Sequence, residues 1–281
     1  MADEGSAEPY IARLWAGACE LRDLLLEHQA NGKADLAVRR KQFDELYGPV
    51  LDALGAARTQ ARTIRGLVSA HRERVAAGVA ISRERKALHV NEAIDLELQN
   101  CLAAFLPAAA RAAKLLQELV AYLGMDIRCL FQKESVLEAA LERLRVDGDS
   151  QLAEYLASAR VRWSQTLMHR RNALEHEGWR LPDVRYVEEP SGSVSVLEPQ
   201  VDGVAVSDFV AYILGQTLAF VEDMLALCVQ RGIADVGNLI DIPKDQRDPG
   251  NVKRFRFGSP VLQPHEHFWE LRYNEGGFDA S

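Results

Sequence analysis

Apolar residues recur at three- and four-residue spacing along most of this chain, the pattern that lays one stripe on an α-helix and commits the fold to packing helix on helix. Between Pro9 and Gly32 the stripe is Ile11, Leu14, Ala18, Leu21 and Leu25, and Gly32 suits a helix stop. A second helix is predicted from about Ala34 to Leu54, kinked or broken at Pro49, and a third from about Ala56 to Leu88. Asn91 is an N-cap for a long helix with Leu98, Cys101/Leu102, Phe105, Ala109, Ala112, Leu116, Leu119 and Leu123 on its core face, ending at Gly124 and bent at Pro107. Val136 to Leu144 forms a short helix closed by Asp147-Gly148. The next begins near Ser150 and carries Leu152, Tyr155/Leu156, Ala159, Trp163, Leu167 and Leu174 toward Gly178, a pattern that tolerates a break near Ser164. Ser207 caps a last amphipathic helix through Val210, Ile213/Leu214, Thr217, Val221, Met224/Leu225 and Cys228, which stops at Gly232.

After Pro182 the period changes to two. Val184, Tyr186, Val194 and Val196 alternate about a Glu-Pro-Ser-Gly turn, and Asp202-Gly203 is a second turn signal, so a β-hairpin or three-stranded insert is expected near residues 183–206. Beyond Gly232, Gly, Pro and Asp recur without a sustained period. The fold class read from the pattern is all-α: a helical bundle with a small β-hairpin insert and an irregular C-terminal tail. Residues 1–90 make an N-terminal helical region whose third helix is basic, 91–232 the main bundle with its hairpin, and 233–281 the tail.

The 281 residues carry 33 Lys and Arg against 41 Asp and Glu, a formal charge of -8, which argues against a chain built as a whole to coat nucleic acid. The charge is segregated, however. From Ala56 to Leu88 there are eight basic residues (Arg58, Arg62, Arg65, Arg72, Arg74, Arg83, Arg85, Lys86) against two acidic ones. Cys19, Cys101, Cys129 and Cys228 are scattered without a C-x-x-C pair and read as free thiols of a reducing cytoplasm. The first residues are acidic and polar, unlike a secretory signal, and Glu222 and Asp223 interrupt the most apolar stretch, so no membrane segment is expected. G-x-G-x-x-G after a strand, G-x-x-x-x-G-K-S/T, H-E-x-x-H, G-x-S-x-G and EF-hand loops are all missing, which argues against dinucleotide, P-loop, zincin and hydrolase chemistry.

One string in the penultimate helix carries chemistry: Arg170-Arg171-Asn172-Ala173-Leu174-Glu175-His176-Glu177-Gly178-Trp179. Here Arg171 is followed by Asn172 and, five positions on, by His176. This resembles the HEPN superfamily, whose signature is R-x4-6-H on an α-helical bundle, usually with Asn, Asp or His after the Arg. The resemblance covers roughly Asn91 to Gly232. It implies a metal-independent endoribonuclease that needs no cofactor, often a homodimer whose two motif copies form one cleft, found in bacterial toxin–antitoxin and antiviral defence systems. It makes Arg171, Asn172 and His176 the catalytic residues and RNA the partner, with 2',3'-cyclic phosphate and 5'-hydroxyl ends on the products. A free nuclease is toxic, so an inhibitory or activating partner protein is also expected. The residue types suit those roles: a planar, permanent guanidinium can hold a phosphate and its developing charge, and an imidazole near neutral pH can pass a proton. On a helix Asn172 and His176 lie about 40° apart, so Asn172 can buttress the ring, whereas Arg171 points about 140° from His176, toward a partner helix or a subunit boundary.

The bare R-x4-6-H pattern also occurs at Arg22 to His28, Arg65 to His71, Arg83 to His89, Arg162 to His169 and Arg170 to His176. Of these only Arg22-Asp23 has Asn, Asp or His after the Arg, and there His28 continues an apolar stripe as a packed or capping histidine. The plainer alternative for the main motif pairs Arg171 with Glu175 or Glu177 and sets His176 at a helix C-terminus. The stripe Arg58, Arg62, Arg65 and Arg72 is either an RNA-backbone track, joined by Arg170 and a base-stacking Trp179, or a solvated face. A non-catalytic helical module that binds RNA or protein is the rival to the nuclease. His265-Glu266-His267 with Glu270 can place two imidazoles on one side of a strand, and Phe268, Trp269 and Tyr273 can anchor the tail.

Overall fold

The computed structural model describes residues 10–84, 87–242, 254–258 and 269–271. Over these residues the chain is mainly helical, with α1 (Tyr10–Gln29), α2 (Lys33–Ala76), α3 (Asp95–Tyr122), α4 (Glu134–Val146), α5 (Ser150–Ala159), α6 (Gln165–His176) and α7 (Val206–Gly232). Short antiparallel pairs join β1 (Ile81–Glu84) to β2 (Ala87–Val90), β3 (Arg185–Glu188) to β4 (Val194–Leu197), β5 (Gln200–Val201) to β6 (Val204–Ala205) and β7 (Asn238–Asp241) to β8 (Phe255–Gly258).

Several elements depart from the sequence expectation. The second and third helices are a single helix: α2 continues through Pro49 for 44 residues. A mid-helix proline forfeits a hydrogen bond, and the buried stripe of Phe43, Tyr47, Val50 and Leu54 on the same helix offsets that loss. Its basic C-terminal half ends at Ala76, not Leu88, and β1 and β2 follow, paired from Ile81↔Val90 to Glu84↔Ala87. Asn91 is not a helix cap; its N–H donates to the Ala80 carbonyl at 2.8 Å and closes this hairpin, and α3 starts at Asp95. The break near Ser164 is a π-helical turn over Arg160–Ser164 between α5 and α6, with the Ser164 hydroxyl buried and unpartnered among the described residues. Asp202 and Gly203 both take left-handed φ values, 54° and 83°, as a two-residue hairpin turn requires. The tail is not wholly irregular: β7 and β8 pair across residues 238–258, and Trp269 donates its N–H to the Leu239 carbonyl and packs edge-on to Phe255. His265, His267, Phe268 and Tyr273 lie outside the described residues.

The residues cluster into two compact units. The first holds the described residues up to Leu54, Arg111–Thr166 and those from Gln216 onward; the second holds Gly55–Ala110 and Leu167–Gly215. The limits near residues 90 and 232 fall inside the second and the first unit respectively.

In the first unit Trp163 meets Phe220 edge-on, and Tyr155 stacks on the same ring. Gly232, the last residue of α7, is a glycine for a steric reason, since a Cβ there would collide with the Leu25 side chain of α1. By length and composition α7 is apolar enough to cross a membrane, but 72% of its most apolar window is buried within the protein. Two of its carboxylates, Glu222 and Asp223, are buried as well, and Arg254, just before β8, meets them: Nη1 lies 2.7 Å from Glu222 and 3.2 Å from Asp223, with Nε 3.5 Å from Asp241. The Tyr155 hydroxyl donates to Asp223 at 2.8 Å. Burial pushes the Asp223 carboxyl up to about 6, against the opposing pull of Arg254 and Tyr155. Burial alone would lower the Arg254 guanidinium, but Glu222, Asp223 and Asp241 together hold it above the ordinary arginine value.

Removing one partner of a buried ion pair typically costs about 3–5 kcal/mol. Arg254→Ala is therefore expected to destabilise the protein by roughly that amount in urea titrations at pH 7. Because the Asp223 carboxyl is raised in the folded state, the native protein holds a proton that the unfolded chain releases between about pH 4 and 6. Stability contributed by this group is thus lost as pH rises through that window, and wild type should lose stability relative to Asp223→Asn between pH 4 and 7. A constant difference across that range would contradict the assignment.

Candidate active site

All nine residues assigned from sequence to catalysis or RNA binding belong to the second unit. Its core side of α2 is Ala57, Ala61, Ile64, Val68, His71 and Val75. The stretch after α6 is pinned by side chains of two other helices. The Leu181 N–H donates to Gln99 at 2.7 Å and the Val184 N–H to Asp95 at 2.6 Å. His71, buried on α2, lies with Nε2 2.8 Å from the Tyr186 hydroxyl of β3. Burial pushes the His71 imidazole below its ordinary pKa, against Asp95 and Glu92 and in concert with Arg74.

The α6 helix exposes its C-terminal end because Gly178, at φ 69°, turns the chain into the left-handed region and the Trp179 N–H folds back to the Ala173 carbonyl at 3.1 Å. His176, the last helical residue, is 68% exposed. Arg171 Nη2 lies 2.5 Å from Glu175 Oε2, and Nη1 donates to the Asn172 side-chain oxygen at 3.0 Å. Glu175 Oε2 is in turn 3.7 Å from His176 Nε2. A five-residue spacing sends Arg171 and His176 to different sides of the helix, and Glu175, one turn from Arg171 and adjacent to His176, spans the gap.

Two local expectations change with this geometry. Asn172 accepts from Arg171 and makes no hydrogen bond to His176 among the described residues. Among the described residues of this chain the Arg171 guanidinium pairs within its own helix, with Glu175 and Asn172, rather than with another helix. Glu175 is therefore the residue that joins the site, and its i,i+4 relation to Arg171 is the sequence signal for it.

The RNA-binding set divides. Arg170 makes a two-pronged pair with Asp202 in the β5–β6 turn, Nε lying 2.9 Å from Oδ2, and its guanidinium stands 5.4 Å from the centre of the Trp179 ring. Nothing in local sequence announces Asp202, which lies 32 residues from Arg170. Arg72 pairs at 2.9 Å with Glu198, whose side chain is only 6% exposed and also accepts the Ser207 N–H at the start of α7 at 3.1 Å. Thus Glu198, rather than Ser207, caps that helix. Arg62 and Arg65 are exposed on α2, and Arg58 is partly buried beside them. In the first unit Arg22 pairs with Asp23 and Asp44, and His28 lies 2.9 Å from Asp235, so the second motif candidate is tied into ion pairs. Among the described residues no group of three or more His, Cys, Asp or Glu side chains is arranged to hold a metal ion.

The two glutamates of this unit should behave differently when truncated. Glu198→Ala removes charge-assisted bonds from a buried position and is expected to cost about 2–3 kcal/mol, whereas Glu175→Ala breaks a partly exposed helix pair worth about 0.5 kcal/mol. Chemical denaturation of both variants checks the contrast; equal losses would contradict it. Compared with known proteins, the chain matches no family model, no curated protein and no solved structure.

Proposed function

We propose that this protein is a metal-independent endoribonuclease of the HEPN type, with its reactive groups at the exposed end of α6. The observation that carries the reading is the run Arg171–Glu175–His176, in which one carboxylate lies between a guanidinium and an accessible imidazole. In this mechanism Arg171 exchanges Glu175 for the scissile phosphate and stabilises the charge that builds on it as the substrate's own 2'-hydroxyl attacks phosphorus. His176 moves the proton at the 2'-oxygen or the 5'-oxygen. The P–O5' bond breaks, leaving a 2',3'-cyclic phosphate on one product and a 5'-hydroxyl on the other. Cleavage needs a base at one oxygen and an acid at the other, and a homodimer would supply two imidazoles for those tasks.

A second reading is favoured by one contact. The 2.5 Å Arg171–Glu175 pair is also what a structural helix pair looks like, and a non-catalytic helical module that binds RNA or protein would retain it. Cleavage of a labelled structured RNA in EDTA separates the two. The nuclease reading expects cleavage by wild type that falls by about 10²–10⁴-fold in His176→Ala and about 10²–10³-fold in Arg171→Ala, both variants keeping the wild-type circular dichroism. Undiminished cleavage in both folded variants would refute the site.

A further inference from the structure

Cleavage by the substrate's own hydroxyl needs a proton acceptor at the 2'-oxygen and a proton donor at the 5'-oxygen, and His176 fills one of these tasks. The described histidines are placed very differently. His71 is buried against Tyr186, His28 is paired with Asp235, and His89 stands on β2. His169 is exposed and lies on α6 itself, seven positions before His176. The whole interval is regular α-helix. The two side chains therefore leave α6 within about 20° of each other and about 10 Å apart along its axis.

Asn172 stands between them on this face, about 60° round from His169 and 40° from His176. The core side is marked by Leu167, about 160° round from His169, and Ala173 is buried on one flank. Asn172 also brings a cation to the middle of the face. Arg171 leaves the helix about 100° away from it, yet Arg171 Nη1 donates to the Asn172 side-chain oxygen at 3.0 Å. That edge of the guanidinium thus lies beside the Asn172 amide, level with the gap between the two imidazoles. The order along α6 is imidazole, guanidinium, imidazole.

We propose that His169 is the second proton-transfer group of this site, so that one α6 carries both imidazoles; the proposal rests on the nuclease reading above. An in-line displacement sets the entering 2'-oxygen, phosphorus and the leaving 5'-oxygen in a row, and a hydrogen bond beyond each end makes that row roughly 9 Å long between the two ring nitrogens. The spacing of His169 and His176 matches it, whereas histidines four positions apart are only about 6 Å apart along the axis and fall short of both ends. The phosphate between them then meets Arg171. One imidazole takes the 2'-hydroxyl proton as the P–O2' bond forms. The other, as imidazolium, gives its proton to the 5'-oxygen as the P–O5' bond breaks, and exchange with water restores both rings.

The test is single-turnover cleavage of a labelled structured RNA in EDTA, from about pH 4 to 9, by the full chain and by His169→Ala and His176→Ala variants with wild-type circular dichroism. Wild type should give a bell-shaped profile. Each variant should cut about 10²–10⁴-fold more slowly, and the two should lose opposite limbs of the bell, because one ring acts as base and the other as acid. An RNA with sulfur in place of the leaving 5'-oxygen at the cut position separates the tasks. A thiolate departs without a proton, so the variant lacking the acid should recover on this strand and the variant lacking the base should not. A His169→Ala protein that keeps the wild-type rate and both limbs would overturn the proposal, and so would loss of the same limb in both variants or recovery of both. Failure of the nuclease reading looks different: wild type then leaves the all-oxygen RNA intact at every pH.

Discussion

A carboxylate taken out of water must be met by a cation or by hydrogen-bond donors, and this requirement organises both units of the protein. In the first, Glu222 and Asp223 stand on the most apolar helix of the chain, and Arg254 and Tyr155 answer them. Arg254, directly before β8, is thereby fastened to α7. In the second, Glu198 satisfies Arg72 of α2 and the first turn of α7 at once. The insert after α6 is fixed between them, with further ties at Asp95, Gln99, Tyr186 and Asp202. Cations recruited to such positions are structural.

The same sorting bears on the end of α6. Glu175 is only partly buried, so its pair with Arg171 is not forced by desolvation in the way that Arg254 is held. A phosphodiester can replace a carboxylate beside a guanidinium with the charge balance kept, because each presents two oxygens sharing one negative charge to a forked donor. A guanidinium oriented by its own helix until an anion arrives loses less freedom on binding than one that samples solvent. Among the described residues the exposed imidazole next to it meets Glu175 alone in an ion pair.

Much of this architecture was legible in the sequence wherever short-range patterning decided it. The apolar stripes of α3 and α7 and the Glu-Pro-Ser-Gly and Asp-Gly turns follow from spacing and turn chemistry, whereas the pattern before α6 merely tolerated the break that the π-helical turn makes. Long-range pairing was not legible. The residues of β1 and β2 include Arg, Glu, Ala and Leu, good helix formers, and only pairing across Ile81↔Val90 with the Arg83–Glu188 contact makes them strands. Strand β7 ends at Asp241 and β8 begins at Phe255, a separation too long in sequence for the short turn signals that mark a hairpin. Pro49 misled because its local cost is outweighed by the core contacts of the helix around it. At the site, the R-N-x3-H string and the Arg171–Glu175 spacing were visible, but the partners of Arg72 and Arg170 lie 126 and 32 residues away and follow only from the folded chain.

The central claim is that the reacting nucleophile belongs to the RNA and that the protein supplies charge and protons from the end of α6. Its most direct test is cleavage, in EDTA, of an RNA in which the ribose at the cut position is replaced by 2'-deoxyribose. The account predicts that the all-ribose strand is cut to a 2',3'-cyclic phosphate and a 5'-hydroxyl and that the single deoxy substitution abolishes cutting at that position. Cleavage of the substituted strand at the same bond would contradict it.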